Sequence, residues 1–184
     1  MPPRHYRRLQ DHRKPRAPPI DSSTQLPLAI SDLAPVIEES VNLVRSACSL
    51  ETQIDTFLST DLKLEGDRIQ IQQVVINLVR NPCEAVAGLP APKIRISGEQ
   101  RLDEVIVSIR DTGPGIAQEK RERLFTWYEL TKDGGLGLGL SISRTIIEAH
   151  GGDIWLEESG DAGTEFRFSL PTKCIATSNI PARP

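Results

Sequence analysis

The chain is poor in cysteine and in long apolar stretches, and each shortage excludes a class of protein. Its three cysteines (Cys48, Cys83 and Cys174) are an odd number, widely spaced and without a CxxC pair. This argues against a disulfide framework or a structural zinc site, and it fits a reducing cytosol. No run approaches the roughly 18 apolar residues of a membrane span, and no signal peptide is visible. With 38% hydrophobic residues among 184, one packed domain with loose ends is expected.

Charge is unevenly spread along the chain. Lysine and arginine number 22 and aspartate and glutamate 25, which gives a net charge of −3. Residues 1–19 hold six basic residues and one acid, so the remainder carries about −8 (16 − 24). An acidic folded region disfavours a general nucleic-acid-binding surface. The basic head could still contact nucleic acid or acidic lipid, although a solvated tail is the favoured interpretation.

Proline content and hydrophobic periodicity divide the chain into three parts. Seven of the 14 prolines precede residue 37, so residues 1–30 are predicted to be a basic, proline-rich linker or the end of a dimerisation helix. Residues 31–171 are predicted to fold, and residues 172–184 to form a flexible tail. Helices are predicted after Ser31-Asp32, from Gly66-Asp67 with Ile69 on the apolar face, and from about Gly139 to His150. Strands are predicted at residues 53–58, 93–97, 105–109, 153–156 and 164–170.

Two asparagines on the second predicted helix form the first motif. Asn77 and Asn81 are four residues apart, so both side chains leave the helix on the same side. Amide oxygens suit Mg²⁺ when phosphate and water complete its coordination. An isolated pair of this kind is more often simply exposed to solvent, and that alternative stays open.

Two glycine-containing motifs follow. Asp111-Thr112-Gly113-Pro114-Gly115 comes directly after an apolar strand. A carboxylate there can accept a charge-assisted hydrogen bond from a purine amino group, although the pattern alone is also a common turn. Residues 134–140 (GGLGLGL) lead into a helix, where backbone N–H groups and the helix dipole can bind phosphate. They match neither a P-loop nor a Rossmann first turn, and a flexible hinge is the alternative.

The order of these motifs within about 65 residues resembles the catalytic ATP-binding domain of two-component sensor histidine kinases, in the superfamily shared with gyrase, Hsp90 and MutL. The resemblance covers roughly residues 33–171. It includes an N box around Asn77 and Asn81, a first glycine box at 111–115, a partial F box at Leu124-Phe125 and a second glycine box at 135–139. Residues 137–152 are especially similar to rhizobial oxygen- and nitrogen-sensing kinases.

The resemblance implies an α/β (α+β) fold of the Bergerat type, a two-layer sandwich in which three helices cover one face of a mixed β-sheet. It implies ATP and Mg²⁺ as cofactors, with Asn81 as metal ligand and Asn77 orienting phosphate and water. Asp111 would bind the adenine amino group, Gly113 and Gly115 would give the base room, and Lys132 would reach a phosphate. The residues that would cradle the phosphates are Gly135, Leu136, Gly137, Leu138 and Gly139.

The implied activity is that of a protein histidine kinase. The γ-phosphoryl of ATP would pass to a histidine on a separate dimerisation domain, and a response regulator would be the further partner. We expect a cytoplasmic, monomeric domain without nucleic-acid partners, whose parent kinase could be membrane-anchored upstream. The lid, residues 128–136, is expected to be its least ordered part.

Three departures from the family pattern bear on activity. His5 and His12 lie in a proline-broken basic stretch, and His150 is predicted to be structural, so the phosphoacceptor histidine is absent and an isolated catalytic domain is expected. Pro82 follows Asn81, so the helix is predicted to kink or end near Asn81, with weak metal-dependent turnover. A degenerate nucleotide-binding regulatory module, a pseudokinase, is therefore the alternative. A gyrase-type ATPase is disfavoured because Asn77 replaces its glutamate base.

Overall fold

The computed structural model describes residues 29–125 and 138–172. Side chains are described from residue 32 in the first range and from residue 139 in the second. These two ranges contain seven strands and four helices. In chain order they are β1 (Ala29–Asp32), α1 (Leu33–Arg45), β2 (Gln53–Leu58), β3 (Lys63–Gly66), α2 (Arg68–Ala85), β4 (Lys93–Gln100), β5 (Glu104–Asp111), α3 (Gln118–Arg121), α4 (Leu138–Ala149), β6 (Asp153–Gly160) and β7 (Gly163–Pro171).

Five of the strands form one mixed sheet, in the order β2-β4-β5-β7-β6. β2 runs parallel to β4, and the other neighbours are antiparallel. The predicted hairpin is β4–β5, in which Ile96 lies opposite Ile109, and Ile109 in turn lies opposite Phe166 of β7. β1 and β3 form a separate antiparallel pair that the sequence analysis did not predict.

Helices α1, α2 and α4 cover one face of the five-stranded sheet. Alternate side chains of β5 point toward them, so Val105, Val107, Ile109 and Asp111 are buried. The core lies between these two layers, and the predicted sandwich is confirmed. No helix among the described residues is long and apolar enough to cross a membrane.

Aspartate caps fix the starts of α1 and α2, as predicted. Asp32 accepts a hydrogen bond from the Ala34 N–H (3.1 Å), and Asp67 accepts from Ile69 and Gln70 (2.9 and 3.2 Å). The predicted burial of Ile69 is wrong, because this side chain is 76% exposed. Ile69 lies outside the buried face of the helix, whose apolar side chains are Ile71, Val74, Val75, Leu78 and Val79.

α2 was predicted to kink or end near Asn81. The end is wrong, since α2 runs a further turn to Ala85 with Pro82 inside it, and the kink stays a prediction. Proline removes its own N–H donor and crowds the carbonyl four residues earlier, but the Pro82 carbonyl still accepts from Val86 (2.9 Å). Both Pro82 and Cys83 are buried. Tertiary packing therefore holds the last turn in place of the missing backbone bond.

A disulfide joins Cys48 to Cys83, which corrects the expectation drawn from cysteine spacing. Cys48 follows α1 and Cys83 lies in the last turn of α2, with 4.9 Å between their Cα atoms. The two residues are 35 apart in sequence, and only the packing of α1 on α2 brings them together. Sequence spacing could not show that proximity.

The disulfide predicts a thiol count and a stability change. Because it joins two of the three cysteines, the unreduced, denatured chain should titrate one thiol and the reduced chain three. Reduction should lower the free energy of unfolding by about 3–5 kcal/mol for a separation of this length. Urea unfolding of Cys83→Ser should show a similar loss, whereas Cys174→Ser serves as the control. Three thiols in the unreduced, denatured protein would contradict the assignment.

Candidate nucleotide-binding site

Asp111 ends β5 with its carboxylate buried, only 4% exposed, beneath the helix layer. Its Oδ1 accepts hydrogen bonds from the N–H of Gly113 (2.7 Å) and the N–H of Thr164 (3.3 Å). No donor among the described residues bonds to Oδ2. One carboxylate oxygen is therefore anchored to the protein, while the other remains available to a ligand.

Burial raises the pKa of the Asp111 carboxyl above its usual range. The N–H groups of Gly113 and Thr164, and then the charge of Arg110, act in the opposite direction but do not cancel the loss of hydration. The ionised carboxylate therefore costs folding stability near neutral pH, and that cost disappears as the pH falls below the ordinary aspartate range. A ligand that donates to Oδ2 would offset part of this cost.

The glycines of the first glycine box let the chain approach itself closely. A Cβ on Gly113 would lie 2.8 Å from Asp111 Oδ1 and 3.2 Å from the Cβ of Ala85 in α2. Gly115 has φ +78°, and a Cβ there would collide with the backbone of Gly160 at the end of β6. The structure places these glycines where the loop packs against α2 and against the end of β6. Their predicted role of giving the base room stays a prediction.

Asn77 links α2 to the start of α4. Its Nδ2 donates to the Gly139 carbonyl (3.3 Å) and to the Ser143 hydroxyl (3.4 Å), which leaves its Oδ1 on the opposite side of the amide. Asn81, one turn further along α2, is half-buried, and its amide makes no hydrogen bond with the described part of the chain. Its oxygen is therefore free to act as a ligand.

The described motif residues converge on the C-terminal half of α2. Asn77 contacts Gly139 of the second glycine box, and Ala85 faces Gly113 of the first. Leu138 begins α4, so the last residues of the second glycine box lead into a helix, as predicted. The predicted phosphate contacts Lys132, Gly135, Leu136 and Gly137, and the whole of the lid, lie outside the described residues.

Thr164 and Ser159 are site residues that the sequence analysis missed. Arg110 pairs with Glu165 across β5 and β7, which brings Thr164 beside Asp111. The Ser159 hydroxyl accepts from the Ile116 N–H (2.7 Å) and lies 3.3 Å from the Thr164 hydroxyl. In the sequence, the only indication of a role for Thr164 was its position in the closing strand. That position does not show that β7 pairs with β5 in the register that brings Thr164 beside Asp111.

The F box residue Phe125 is anchored before the gap. Its ring meets Phe166 of β7 edge-on with 6.1 Å between centroids, and the Arg144 guanidinium of α4 lies 5.9 Å above it. Phe125 thus contacts both β7 and α4.

His150 has the structural role predicted for it. The ring is 6% exposed, its Nε2 accepts from the Asp67 N–H (3.1 Å), and Nδ1 lies 2.8 Å from the Ile146 carbonyl. Nδ1 must therefore carry the proton and donate to that carbonyl. The bond to Asp67 joins the end of α4 to the start of α2.

Comparison with known families supports the geometry. Residues 66–173 match the family model described as histidine kinase-, DNA gyrase B-, and HSP90-like ATPase. This range contains both asparagines of α2, Asp111 and the two glycine boxes. The fold and site define an ATP-binding α/β sandwich, and the chain belongs to this ATPase family.

Curated relatives of the chain include sensor proteins. The chain is 46% identical to the sensor protein FixL of Bradyrhizobium diazoefficiens over 107 residues, 58% of this chain and 21% of FixL. It is 35% identical to the C4-dicarboxylate transport sensor protein DctS of Rhodobacter capsulatus over 170 residues, 90% of this chain and 24% of DctS. The chain thus spans about a fifth to a quarter of the length of these relatives.

Solved structures place the domain among histidine kinase catalytic domains. A nucleotide-free catalytic domain of the histidine kinase ThkA is 36% identical, with a TM-score of 0.73, and the match covers 80% of this chain and 97% of that domain. The histidine kinase ThkA in complex with the response regulator protein TrrA also matches, with 35% identity, a TM-score of 0.67, and 79% of this chain and 42% of that chain covered. Within the ATPase family, the chain is a catalytic domain of the histidine kinase type.

Substituting Asp111 by Asn should weaken nucleotide binding without lowering the stability of the nucleotide-free domain at neutral pH. Asp111→Asn keeps an oxygen for Gly113 and Thr164 but removes the buried charge. We therefore expect the nucleotide-free variant to be at least as stable as the parent at neutral pH, with an advantage that shrinks as the pH falls toward about 4. Urea unfolding at several pH values measures this, with the exposed Asp103→Asn as control. A stability loss that is equal at all pH values would contradict it.

The same variant should bind adenine nucleotides poorly. Because the amide oxygen must remain on the two backbone N–H groups, the amide nitrogen takes the place of Oδ2 and faces the amino donor of the base. Loss of a charge-assisted bond of roughly 1.5–3 kcal/mol predicts about ten- to hundredfold weaker ADP binding by calorimetry. Equal affinity in Asp111→Asn would refute the assignment of Asp111 to the base.

Proposed function

We propose that the domain binds Mg²⁺-ATP and donates its γ-phosphoryl to a histidine on a dimerisation domain outside this chain. The observation that carries the proposal is the convergence of Asp111, Asn77 and Gly139 around one half of α2. Asp111, the proposed acceptor for the base, lies near one end of this half of α2, and the start of α4 lies near the other. That arrangement suits a nucleotide extended from base to phosphates.

The base end rests on Asp111. Its Oδ2 can accept from the exocyclic amino group of adenine, and the amides that hold Oδ1 prevent the carboxylate from turning away. Guanine would present a carbonyl oxygen to the same atom, so the contact would be repulsive. The carboxylate therefore favours adenine over guanine.

The phosphate end rests on the start of α4 and, we propose, on Gly135, Leu136, Gly137, Leu138, Gly139 and Lys132. Backbone N–H groups at the start of α4 are donors for phosphate oxygens, and the helix dipole favours negative charge there. Asn77 ties this helix end to α2 through the Gly139 carbonyl. Its Oδ1 would orient phosphate-bound water.

The donor set fits Mg²⁺ at Asn81. Among the described residues the Asn81 amide oxygen has no hydrogen-bond donor. An amide oxygen is a hard ligand, and Mg²⁺ commonly uses one or two protein ligands while phosphates and water supply the rest. The ion would neutralise charge on the phosphate oxygens. The contribution of the chain is to place the Asn81 oxygen on a helix that continues past Pro82 to Ala85.

In the proposed reaction the bond between the γ-phosphorus and its bridging oxygen breaks as a P–N bond to the acceptor imidazole forms, and ADP leaves. Positioning and charge neutralisation carry such transfers. FixL and DctS are sensor proteins and ThkA binds TrrA, so we propose a dimerisation domain and a response regulator as partners. Residues 1–30 would link the domain to the former, and residues 172–184 would be a tail.

The test supplies the full chain with γ-labelled ATP, Mg²⁺ and a purified dimerisation domain that carries the phosphoacceptor histidine. Acid-labile label on the acceptor, absent when its histidine is replaced by alanine, is the expected result. ADP binding without transfer would overturn the kinase proposal and leave the regulatory-module alternative. The helix end at Asn81 on which that alternative mainly rested is not present.

Removing the proposed metal ligand should lower phosphoryl transfer much more than nucleotide binding measured without Mg²⁺. Asn81→Ala should lower phosphoryl transfer by about a hundredfold or more, because small displacements at the reacting phosphate are costly. It should also abolish the Mg²⁺-dependent part of ADP affinity while leaving affinity in EDTA within a few-fold of the parent. Calorimetry with and without Mg²⁺ measures the second effect. Asn42→Ala, which changes an exposed asparagine on α1, is the matched control. If Mg²⁺ raised ADP affinity in Asn81→Ala as much as in the parent, Asn81 would not be the metal ligand.

A further inference from the structure

The Cys48–Cys83 disulfide lies beside the proposed metal ligand. Cys83 follows Asn81 by two residues in the last turn of α2. This turn lacks one backbone hydrogen bond, because Pro82 has no N–H to donate to the Leu78 carbonyl. The disulfide attaches the same turn covalently to the segment after α1. A change in the disulfide therefore acts on the part of α2 that carries Asn81.

A reductant can reach the disulfide from the side of Cys48. This residue lies between the exposed residues Ala47 and Ser49 and is itself 9% exposed, whereas Cys83 is 2% exposed. Thiol–disulfide exchange begins when a thiolate attacks the sulfur that it can reach. The Cys48 sulfur is therefore the point of attack. The sequence predicts a cytoplasmic domain, and disulfides in a reducing cytosol are usually transient or redox-sensing.

We propose that the Cys48–Cys83 disulfide is a redox switch for Mg²⁺-dependent nucleotide binding, with the oxidised form as the tighter binder. The inference rests on the proposed nucleotide function and deepens it. The co-reactant is a dithiol–disulfide couple. A dithiol thiolate bonds to the Cys48 sulfur as the Cys48–Cys83 bond breaks, and Cys83 leaves as a thiolate that takes a proton. The second thiol of the reductant then displaces Cys48, so two electrons pass to the protein and the dithiol becomes a disulfide; oxidation is the reverse exchange.

Reduction should loosen the placement of the Asn81 oxygen. Two thiols no longer fix the distance between Cys83 and the segment after α1. The support that remains for this turn includes the bond from the Val86 N–H to the Pro82 carbonyl (2.9 Å) and the burial of both cysteine and proline side chains. Mg²⁺ requires nearly ideal octahedral geometry, so a displaced ligand weakens its binding. The base contact should change less, because Asp111 lies on β5.

The experiment measures the ADP affinity of the full chain by calorimetry in its oxidised and dithiothreitol-reduced forms, each with Mg²⁺ and with EDTA. Reduction should weaken binding in Mg²⁺ about threefold to tenfold, the effect of one weakened polar contact. Affinity in EDTA should stay nearly the same. Oxidised dithiothreitol should restore the original affinity. Circular dichroism of each sample confirms that the reduced form is folded.

Three variants separate the switch from a general loss of stability. Cys48→Ser leaves the sequence of α2 unchanged and should match the reduced parent under both treatments. Cys174→Ser should keep the full redox response. Asn81→Ala should lose the response, because the switch acts through the metal ligand.

Two results would overturn this inference alone. One is ADP affinity in Mg²⁺ that is equal in the two redox states while the thiol count confirms that the disulfide has been reduced. The other is equal weakening in Mg²⁺ and in EDTA, which would indicate a general loosening of the domain. Absence of ADP binding in both redox states would overturn the nucleotide function itself.

Discussion

The candidate site depends on a buried carboxylate held by two backbone N–H groups. Without the bonds from Gly113 and Thr164 to its Oδ1, Asp111 would be a charge below the helix layer with only the charge of Arg110 to compensate it. Those bonds require β5 and β7 to pair in one register, and they require a residue without Cβ at position 113. The register of β5 and β7 and the glycine at position 113 are therefore both needed to stabilise the buried Asp111 carboxylate.

Much of the fold follows from local sequence patterns. The caps at Asp32 and Asp67, the alternation in β4 and β5 and the Gly151-Gly152 end of α4 were predictable because each depends on neighbouring residues. The β1–β3 pair and the Cys48–Cys83 disulfide were not predictable, because they join segments whose proximity exists only after the helices pack on the sheet.

The candidate site also contains residues that local motifs reveal and residues that only tertiary packing reveals. Asn77, Asp111 and Gly139 could be selected from motif order, and the structure brings them to one helix. Thr164 and Ser159 escaped notice because their relevance comes from cross-strand pairing, and a serine or threonine in a strand has no distinctive sequence signal. Residues that contact a ligand through a motif are easier to find than residues that position those contacts.

The last turn of α2 couples the two ends of the proposed nucleotide site. Asn81 lies at its start, Cys83 ties it to the segment after α1, and Ala85 faces Gly113. Pro82 deprives this turn of a backbone bond, so its geometry depends on these tertiary contacts more than an ordinary helix end would. The proposed metal ligand and the loop beside the proposed base acceptor therefore depend on the same structural support.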